Sequence, residues 1–351
     1  MRLPANGFAQ IAATESGFMR IHAILMMLAF PLTVHADVGQ QRAEAAGRSI
    51  VGSPAPQITL KTIDRQTINL SQLYGRKAVY LKFWATWCVP CREQMPKFQQ
   101  RYEAAGDDLA VIAVNVGLSD TPEVVQAFRK QYGLTMPVVI DDGRLAAALN
   151  LQVTPQHIVI GRDARIQYVG HLEDEKLDAA LLAARNSKPA SNTSVASADS
   201  TRAPTSLTTL PRRSLASVTG ESIALRDSTA PTVLVFFSSW CESYLMQNAA
   251  QTAADCTRVR EQVSELSRDS KVRWIGIASH LWATRDDVVE YASDYKVGMP
   301  LIFDEQGELF RSFRATRLPT LIFADRTGRV VRRVEGVDEN LSRHVAALIY
   351  H

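Results

Sequence analysis

Two periodicities alternate along the chain. Strand-length apolar runs, QITLKT (57–62), AVYLKFWA (78–85), LAVIAVNVG (109–117), MPVVIDD (136–142), QHIVIG (156–161) and RIQYVG (165–170), are β-branched and aromatic in character. Between them lie segments with apolar residues at helical spacing. CREQMPKFQQRYEAAG (91–106) carries Met95, Phe98 and Tyr102 on one face. PEVVQAFRKQYG (122–133) starts with a proline just inside its N-terminus and closes on Gly133. EDEKLDAALLAARN (173–186) reads as a terminal helix. Alternation of this kind predicts an α/β fold.

The same order then returns. TVLVFFSS (232–239), a long helical stretch, VRWIGIAS (272–279), DDVVEYASDYK (286–296), MPLIFDE (299–305), LPTLIFAD (318–325), VVRRVEG (330–336) and ENLSRHVAALI (339–349) follow one another. Anchors keep their sequence. YGLTMPVVIDD at 132–142 matches YKVGMPLIFDE at 295–305, and VTPQHIVIGRD at 153–163 matches RLPTLIFADRT at 317–327. The chain is therefore a tandem of two related α/β domains, expected at 50–185 and 212–351. Residues 186–211, NSKPASNTSVASADSTRAPTSLTTLP, are rich in Ser, Thr, Ala and Pro and read as a flexible linker. A length of 351 residues accommodates two domains, each with its own core.

At the N-terminus the run AILMMLAFPLTV (23–34) follows a weakly positive start and ends in Val34-His35-Ala36. Residues 1–36 read as a signal peptide, with translation expected from Met19, and 37–49 as a short polar spacer. The alternative is an uncleaved anchor, although the run is shorter than the roughly 20 residues of a membrane span. Export implies the periplasm, an oxidising compartment. A net charge of +3, without dense basic runs, gives no reason to expect nucleic acid as a partner.

Four cysteines are too few for a disulfide-stapled scaffold of this length and suit a redox pair plus something else. In FWATWCVPCREQMP (83–96), Cys88-Val89-Pro90-Cys91 follows a strand and opens a helix. Helix N-terminal amides stabilise a thiolate there, and the thiolate attacks disulfides. This assigns Cys88 as exposed nucleophile and Cys91 as resolving cysteine. A structural zinc half-site lacks a second ligand pair, so no metal and no cofactor are expected.

This segment resembles the TlpA/ResA-like family of thioredoxin-fold thiol-disulfide oxidoreductases. The resemblance covers residues 50–185 and implies two tandem thioredoxin-like domains, each a central mixed β-sheet flanked by helices. It also implies a cis proline facing the disulfide, matched by Val153-Thr154-Pro155, and packing of Trp84 and Trp87 around the sulfurs; both tryptophans also suit core and rim burial. Reduction of protein disulfides is implied, for example in cytochrome c or copper-site assembly, with an upstream membrane electron donor. The usual buried acid before the motif is replaced by Lys82, and the glutamate often found three residues after the second cysteine by Gln94. Lys82 either takes part in the redox chemistry or snorkels to the surface. The competing reading is a binding or chaperone-like module with a structural disulfide.

FFSSWCESYLMQNA (236–249) keeps Trp240-Cys241 but has Tyr244 in place of the second cysteine. This copy is expected to serve contacts: docking clients, orienting the first copy, or dimerising. On one straight helix, 15 residues would separate Cys241 and Cys256 by about 22 Å, too far for a disulfide. The second copy is about ten residues longer here, so a fold-back would permit a structural bridge. A free buried Cys256, or a Cys241 that forms mixed disulfides, are the alternatives.

Overall fold

The computed structural model describes residues 30–189, 206–268 and 271–350. In chain order the first part contains α1 (Phe30–Arg48), β1 (Thr59–Lys61), β2 (Thr67–Asn69), α2 (Leu70–Leu73), β3 (Ala78–Trp84), α3 (Val89–Glu103), β4 (Leu109–Asn115), α4 (Pro122–Gln131), β5 (Val138–Ile140), α5 (Arg144–Ala148), β6 (Gln156–Ile160), β7 (Ile166–Gly170) and α6 (Glu175–Asn186). The second contains β8 (Ser214–Ala216), β9 (Ser222–Ala224), β10 (Thr232–Phe237), α7 (Cys241–Leu245), α8 (Ala250–Leu266), β11 (Arg273–Ser279), α9 (Arg285–Asp294), β12 (Leu301–Asp304), α10 (Glu308–Ser312), β13 (Thr320–Ala324), β14 (Val330–Glu335) and α11 (Leu341–Ile349).

Each part holds a five-stranded sheet, ordered β5-β4-β3-β6-β7 in the first and β12-β11-β10-β13-β14 in the second. The pairings correspond one for one. β3 runs parallel to β4 and antiparallel to β6, as β10 does to β11 and β13. The expected pair of mixed sheets flanked by helices is therefore what the chain forms.

β3 is buried along its whole length because helices cover both faces of the sheet centre. Each large apolar side chain there contributes roughly 1.5–3 kcal/mol. Lys82 sits in the middle of that strand and is 0% exposed, so it does not snorkel to the surface. The helices start where side chains satisfy their free amides. Thr121 caps α4, and Thr284 with Asp287 forms a capping box on α9.

Three stretches differ from expectation. Residues 37–49, read as a spacer, are helical to Arg48, and Ala43 and Ala46 are buried against the first domain. The long helix of the second copy is broken after Leu245 and restarts at Ala250. The last residues of the 186–211 segment are fixed. Leu207 N–H donates to Ser312 O, Leu210 N–H donates to Gly328 O, and Leu210 is buried. Residues 190–205 of that segment lie outside the described residues, as does the N-terminal segment through residue 29, which carries most of the expected signal peptide.

Candidate functional site

Cys88 is the N-cap of α3, and Pro90 occupies its first turn. Proline costs nothing there because the first amides have no partner within the helix. The Cys91 N–H points at Cys88 Sγ over 3.2 Å. Cys88 and Cys91 are disulfide-bonded, with α-carbons 5.2 Å apart. On the other side, Cys88 Sγ lies 3.4 Å from the carbonyl oxygen of Thr154. The Thr154–Pro155 peptide bond is cis, as is Leu318–Pro319.

The approach to the motif is held rigidly. Thr86 N–H and Asn115 Nδ2 donate to Asp120, and Trp87 Nε1 donates to Leu118 O. Trp84 packs in the core against Phe128, with centroids 4.7 Å apart, and Trp87 is buried as well.

Behind the motif lies a buried polar network. Lys82 Nζ is 3.6 Å from Glu173 Oε1, close enough for an ion pair and too long for a hydrogen bond. Glu173 also accepts from Arg101 Nε at 3.0 Å. Burial pulls the Lys82 ammonium down to about 7, with Glu173 opposing that fall. His157 faces Lys82 across the β3–β6 ladder. Its Nδ1 meets the Tyr80 hydroxyl at 2.8 Å, and its Nε2 lies 3.1 Å from both Gln94 Oε1 and His171 O. Two carbonyl oxygens at Nε2 require the proton there, so Tyr80 donates to Nδ1. Burial holds His157 well below its usual range, which keeps it neutral. Gln94 is thus a neutral acceptor that orients His157. His171 Nδ1 donates to Pro155 O at 2.7 Å, and α1 packs over the ring through Gly39.

Sequence reasoning singled out Lys82 but missed Glu173, His157 and His171. One signal was available for His157. The positions matching Lys82 and His157 in the second copy are Val235 and Leu321, which also face each other. Both members of the pair are apolar where the second cysteine is gone.

One expectation is overturned. Cys88 was expected to be exposed, yet it is 1% exposed and Cys91 0%. Residues of the second domain pack directly beside the motif. Trp240 lies tilted against Trp87, with ring centroids 5.0 Å apart, and the Tyr244 hydroxyl accepts from Val89 N–H at 3.1 Å. Trp282 Nε1 donates to Thr154 Oγ1 at 3.2 Å, and Arg92 reaches Asn248 at 2.7 Å. Cys241 itself is joined to Cys256, with α-carbons 6.3 Å apart. The break between α7 and α8 brings together two residues that one straight helix would hold far apart.

The AhpC/TSA family model matches residues 51–169. Thioredoxin-like protein YneN of Bacillus subtilis is 35% identical over 133 residues, spanning 37% of this chain and 78% of that protein. The thiol-disulfide oxidoreductase ResA of Geobacillus thermodenitrificans is 30% identical over 149 residues, spanning 42% and 81%. ResA of Bacillus subtilis is 35% identical over 117 residues, spanning 33% and 64%. Among solved structures, a thiol:disulfide interchange protein from Chlorobium tepidum is 25% identical with a TM-score of 0.35, covering 38% of this chain and 95% of its own. With its Cys-x-x-Cys pair at the head of α3 and relatives of this kind, the chain belongs to the ResA-like family of thioredoxin-fold thiol-disulfide oxidoreductases, and is an enzyme of that class.

Proposed function

We propose that the protein is an extracytoplasmic protein-disulfide reductase in which Cys88 attacks and Cys91 resolves. The observation that carries this reading is the position of Cys88 at the α3 N-cap, where the Cys91 N–H already points at its sulfur. That amide and the helix dipole stabilise a thiolate on Cys88 better than on Cys91.

In the reduced enzyme the Cys88 thiolate attacks a client disulfide. One S–S bond forms, the client bond breaks, and the first client sulfur leaves as a thiolate. Cys91 loses its proton and attacks Cys88 Sγ, which releases the second client thiolate. The client gains two electrons and the Cys88–Cys91 bond is restored. Lys82 is the proton acceptor we assign to Cys91. With its ammonium pulled down to about 7, the free amine is available just above neutral pH, and Glu173 stabilises the ammonium once formed. Thr154 and Pro155 frame the sulfur, while Pro90, Trp84 and Trp87 hold the motif in place.

The clients are proteins bearing disulfides, with cysteines of cytochrome c or copper-site assembly proteins as candidates. An upstream membrane electron donor returns the enzyme to the dithiol state. The export reading of residues 1–36 supports a periplasmic location. Among the described residues no helix is long and apolar enough to cross a membrane. The second domain serves contacts, and its aromatic residues against Thr154 and Val89 support a partner in the first domain itself.

The test is trapping. Cys91→Ser should accumulate mixed disulfides with clients in periplasmic extracts, resolvable by mass spectrometry, and Cys88→Ser should not. Equal trapping by both variants would defeat the assignment. Titration against dithiol buffers gives the direction of reaction: about −270 mV supports a reductase, and about −120 mV an oxidant. One observation favours the binding-module reading, namely the burial of Cys88. A Cys88–Cys91 bond that no dithiol buffer opens in the folded protein would establish it.

A further inference from the structure

The two domains meet through equivalent surfaces. Ser119 N–H donates to Thr316 O at 2.6 Å, and Trp282 N–H donates to Gln152 O at 2.9 Å. Ser119 and Trp282 occupy the same place in their repeats, between the second sheet strand and the next helix, and both have φ of 59°. Both acceptors precede a cis proline by three residues. The residues just before the two prolines pair with equivalent partners, although one donates and the other accepts. Leu318 N–H donates to Ser119 Oγ at 3.1 Å, and Trp282 Nε1 donates to Thr154 Oγ1 at 3.2 Å. Trp87 and Trp240, which precede the two matching cysteines, pack against each other at a tilt of 34° and bond their own domains in the same way, through Leu118 O and Leu281 O. The local contacts obey a pseudo-two-fold relation, with the redox face of one repeat laid against the corresponding face of the other.

This arrangement conflicts with the assigned chemistry. Attack on a disulfide requires the client sulfur to approach Cys88 Sγ, yet Cys88 is 1% exposed. The neighbours of Cys88 are engaged by the second domain: Tyr244 at Val89, Trp240 at Trp87 and Trp282 at Thr154. The contacts are tilted and edge-on aromatic pairs, hydrogen bonds such as those of Arg92 with Asn248 and His280 with Leu151 O, and buried apolar residues including Leu245, Leu281 and Leu318 that continue the first domain's core. Domains of one chain move relative to each other by default unless such an interface is large and hydrophobic. The loss of the second Cys-x-x-Cys also gains a physical reason. Two such motifs laid face to face would be positioned to exchange disulfides with each other. Tyr244 removes that reaction and supplies a ring and a hydroxyl that cover Val89, while Cys256 takes Cys241 out of circulation.

We propose that the second domain is an intramolecular competitor for the client-binding face of the first, and that a protein client reaches Cys88 only by displacing it. The inference rests on Cys88 being the attacking sulfur. Reactivity at Cys88 then equals its intrinsic reactivity multiplied by the fraction of molecules in which the face is uncovered.

The experiment uses the full chain, reduced, with iodoacetamide as the probe and peptide mass spectrometry reading each cysteine. Cys88 in the wild type should alkylate about 100-fold or more slowly than the same residue in a short peptide, after correction for thiolate fraction. Trp282→Phe keeps an aromatic ring, smaller than the indole, and removes the N–H to Thr154. Tyr244→Phe removes only the hydroxyl facing Val89. The double variant should alkylate Cys88 about tenfold faster, since losing about 1.4 kcal/mol of hydrogen bonding changes an equilibrium tenfold. Its rate of reducing a protein disulfide should rise in the same proportion, while circular dichroism remains unchanged. Unprotected Cys88 in the wild type, or an increase in neither rate in a folded double variant, would overturn the proposal. Labelling and client trapping at Cys91 instead of Cys88 would overturn the role assignment beneath it, and fragment-ion spectra, which place the label on one or the other cysteine within their shared peptide, separate the two failures.

Discussion

Lys82 and His157 are cross-strand partners at the centre of the first sheet, and in the second sheet the same two positions hold Val235 and Leu321. A buried cation beside a neutral imidazole is costly and needs compensation. Glu173 supplies it from the connection between β7 and α6. The cost is present in the domain with two matching cysteines and absent from the one without them.

Lys82 should therefore leave a signature in the pH dependence of stability. Its folded value of about 7 lies below the 10.5 of an unfolded lysine. Between those values the unfolded chain holds a proton that the native state lacks, so stability rises with pH across that window. Below about 7 both states are protonated and the burial cost is borne in full. Lys82→Met should abolish the rise and stabilise the fold at pH 6 by a few kcal/mol, at about 1.4 kcal/mol per pKa unit. Urea unfolding from pH 6 to 10 measures it, and an unchanged slope would exclude Lys82 as the source. The same variant should slow Cys91-dependent resolution of mixed disulfides if the proton assignment holds.

Glu173→Gln should push the Lys82 ammonium further down, in the same direction as burial. It removes the carboxylate that favours the ammonium and leaves Lys82 and Arg101 without their shared partner. The loss expected at pH 5, where Lys82 is charged in both states, is about 3–5 kcal/mol, as for other broken buried pairs. Adding Lys82→Met to Glu173→Gln should recover part of it. Denaturant midpoints of the two singles and the double give the coupling directly.

Gly39→Ala gives a test in which propensity and packing predict opposite signs. Alanine in a helix is worth up to about 1 kcal/mol over glycine. Here the new Cβ would lie 2.5 Å from His171 Nε2, on a ring pinned to Pro155 O. Overpacking should dominate, with a net loss of about 1–3 kcal/mol. A stabilised variant would mean that α1 does not pack on His171 in solution.

The Cys241–Cys256 bond closes a loop of 15 residues by sequence separation. Replacing both cysteines with alanine should cost the second domain about 3 kcal/mol. Thermal unfolding measures the loss. The Cys88–Cys91 potential should change little in that variant, because the two pairs are assigned separate roles.

Much of the architecture is legible along the chain because it is written in local patterns. The strand runs, the repeated order, the two prolines before β6 and β13 and the cysteine pair at a helix start all lie within short windows. What escaped is what the fold assembles from a distance. Glu173 and His171 look like ordinary residues at the end of a strand, and they gain meaning only when β7 returns beside β6. The residues packed beside Cys88 on Trp87, Val89 and Thr154 are Trp240, Tyr244 and Trp282, more than 150 positions away from it in the chain. Helix α1 lacks a strong apolar stripe, and its Gly39 signals a close approach only when its neighbour is known. The break at residues 246–249 was hinted at by the extra length and weak apolarity there, and it is what brings Cys241 to Cys256.

The mirrored bonds of Ser119 and Trp282 are those of an isologous pair, in which each surface meets its own counterpart. In a dimer of identical subunits every substitution appears twice, and a change that improves one half is imposed on the other. Joining both halves in one chain lifts that restriction. A tyrosine at 244 opposite a cysteine-containing helix is an arrangement no symmetric homodimer can encode, and it allows one half to specialise as reactant and the other as surface.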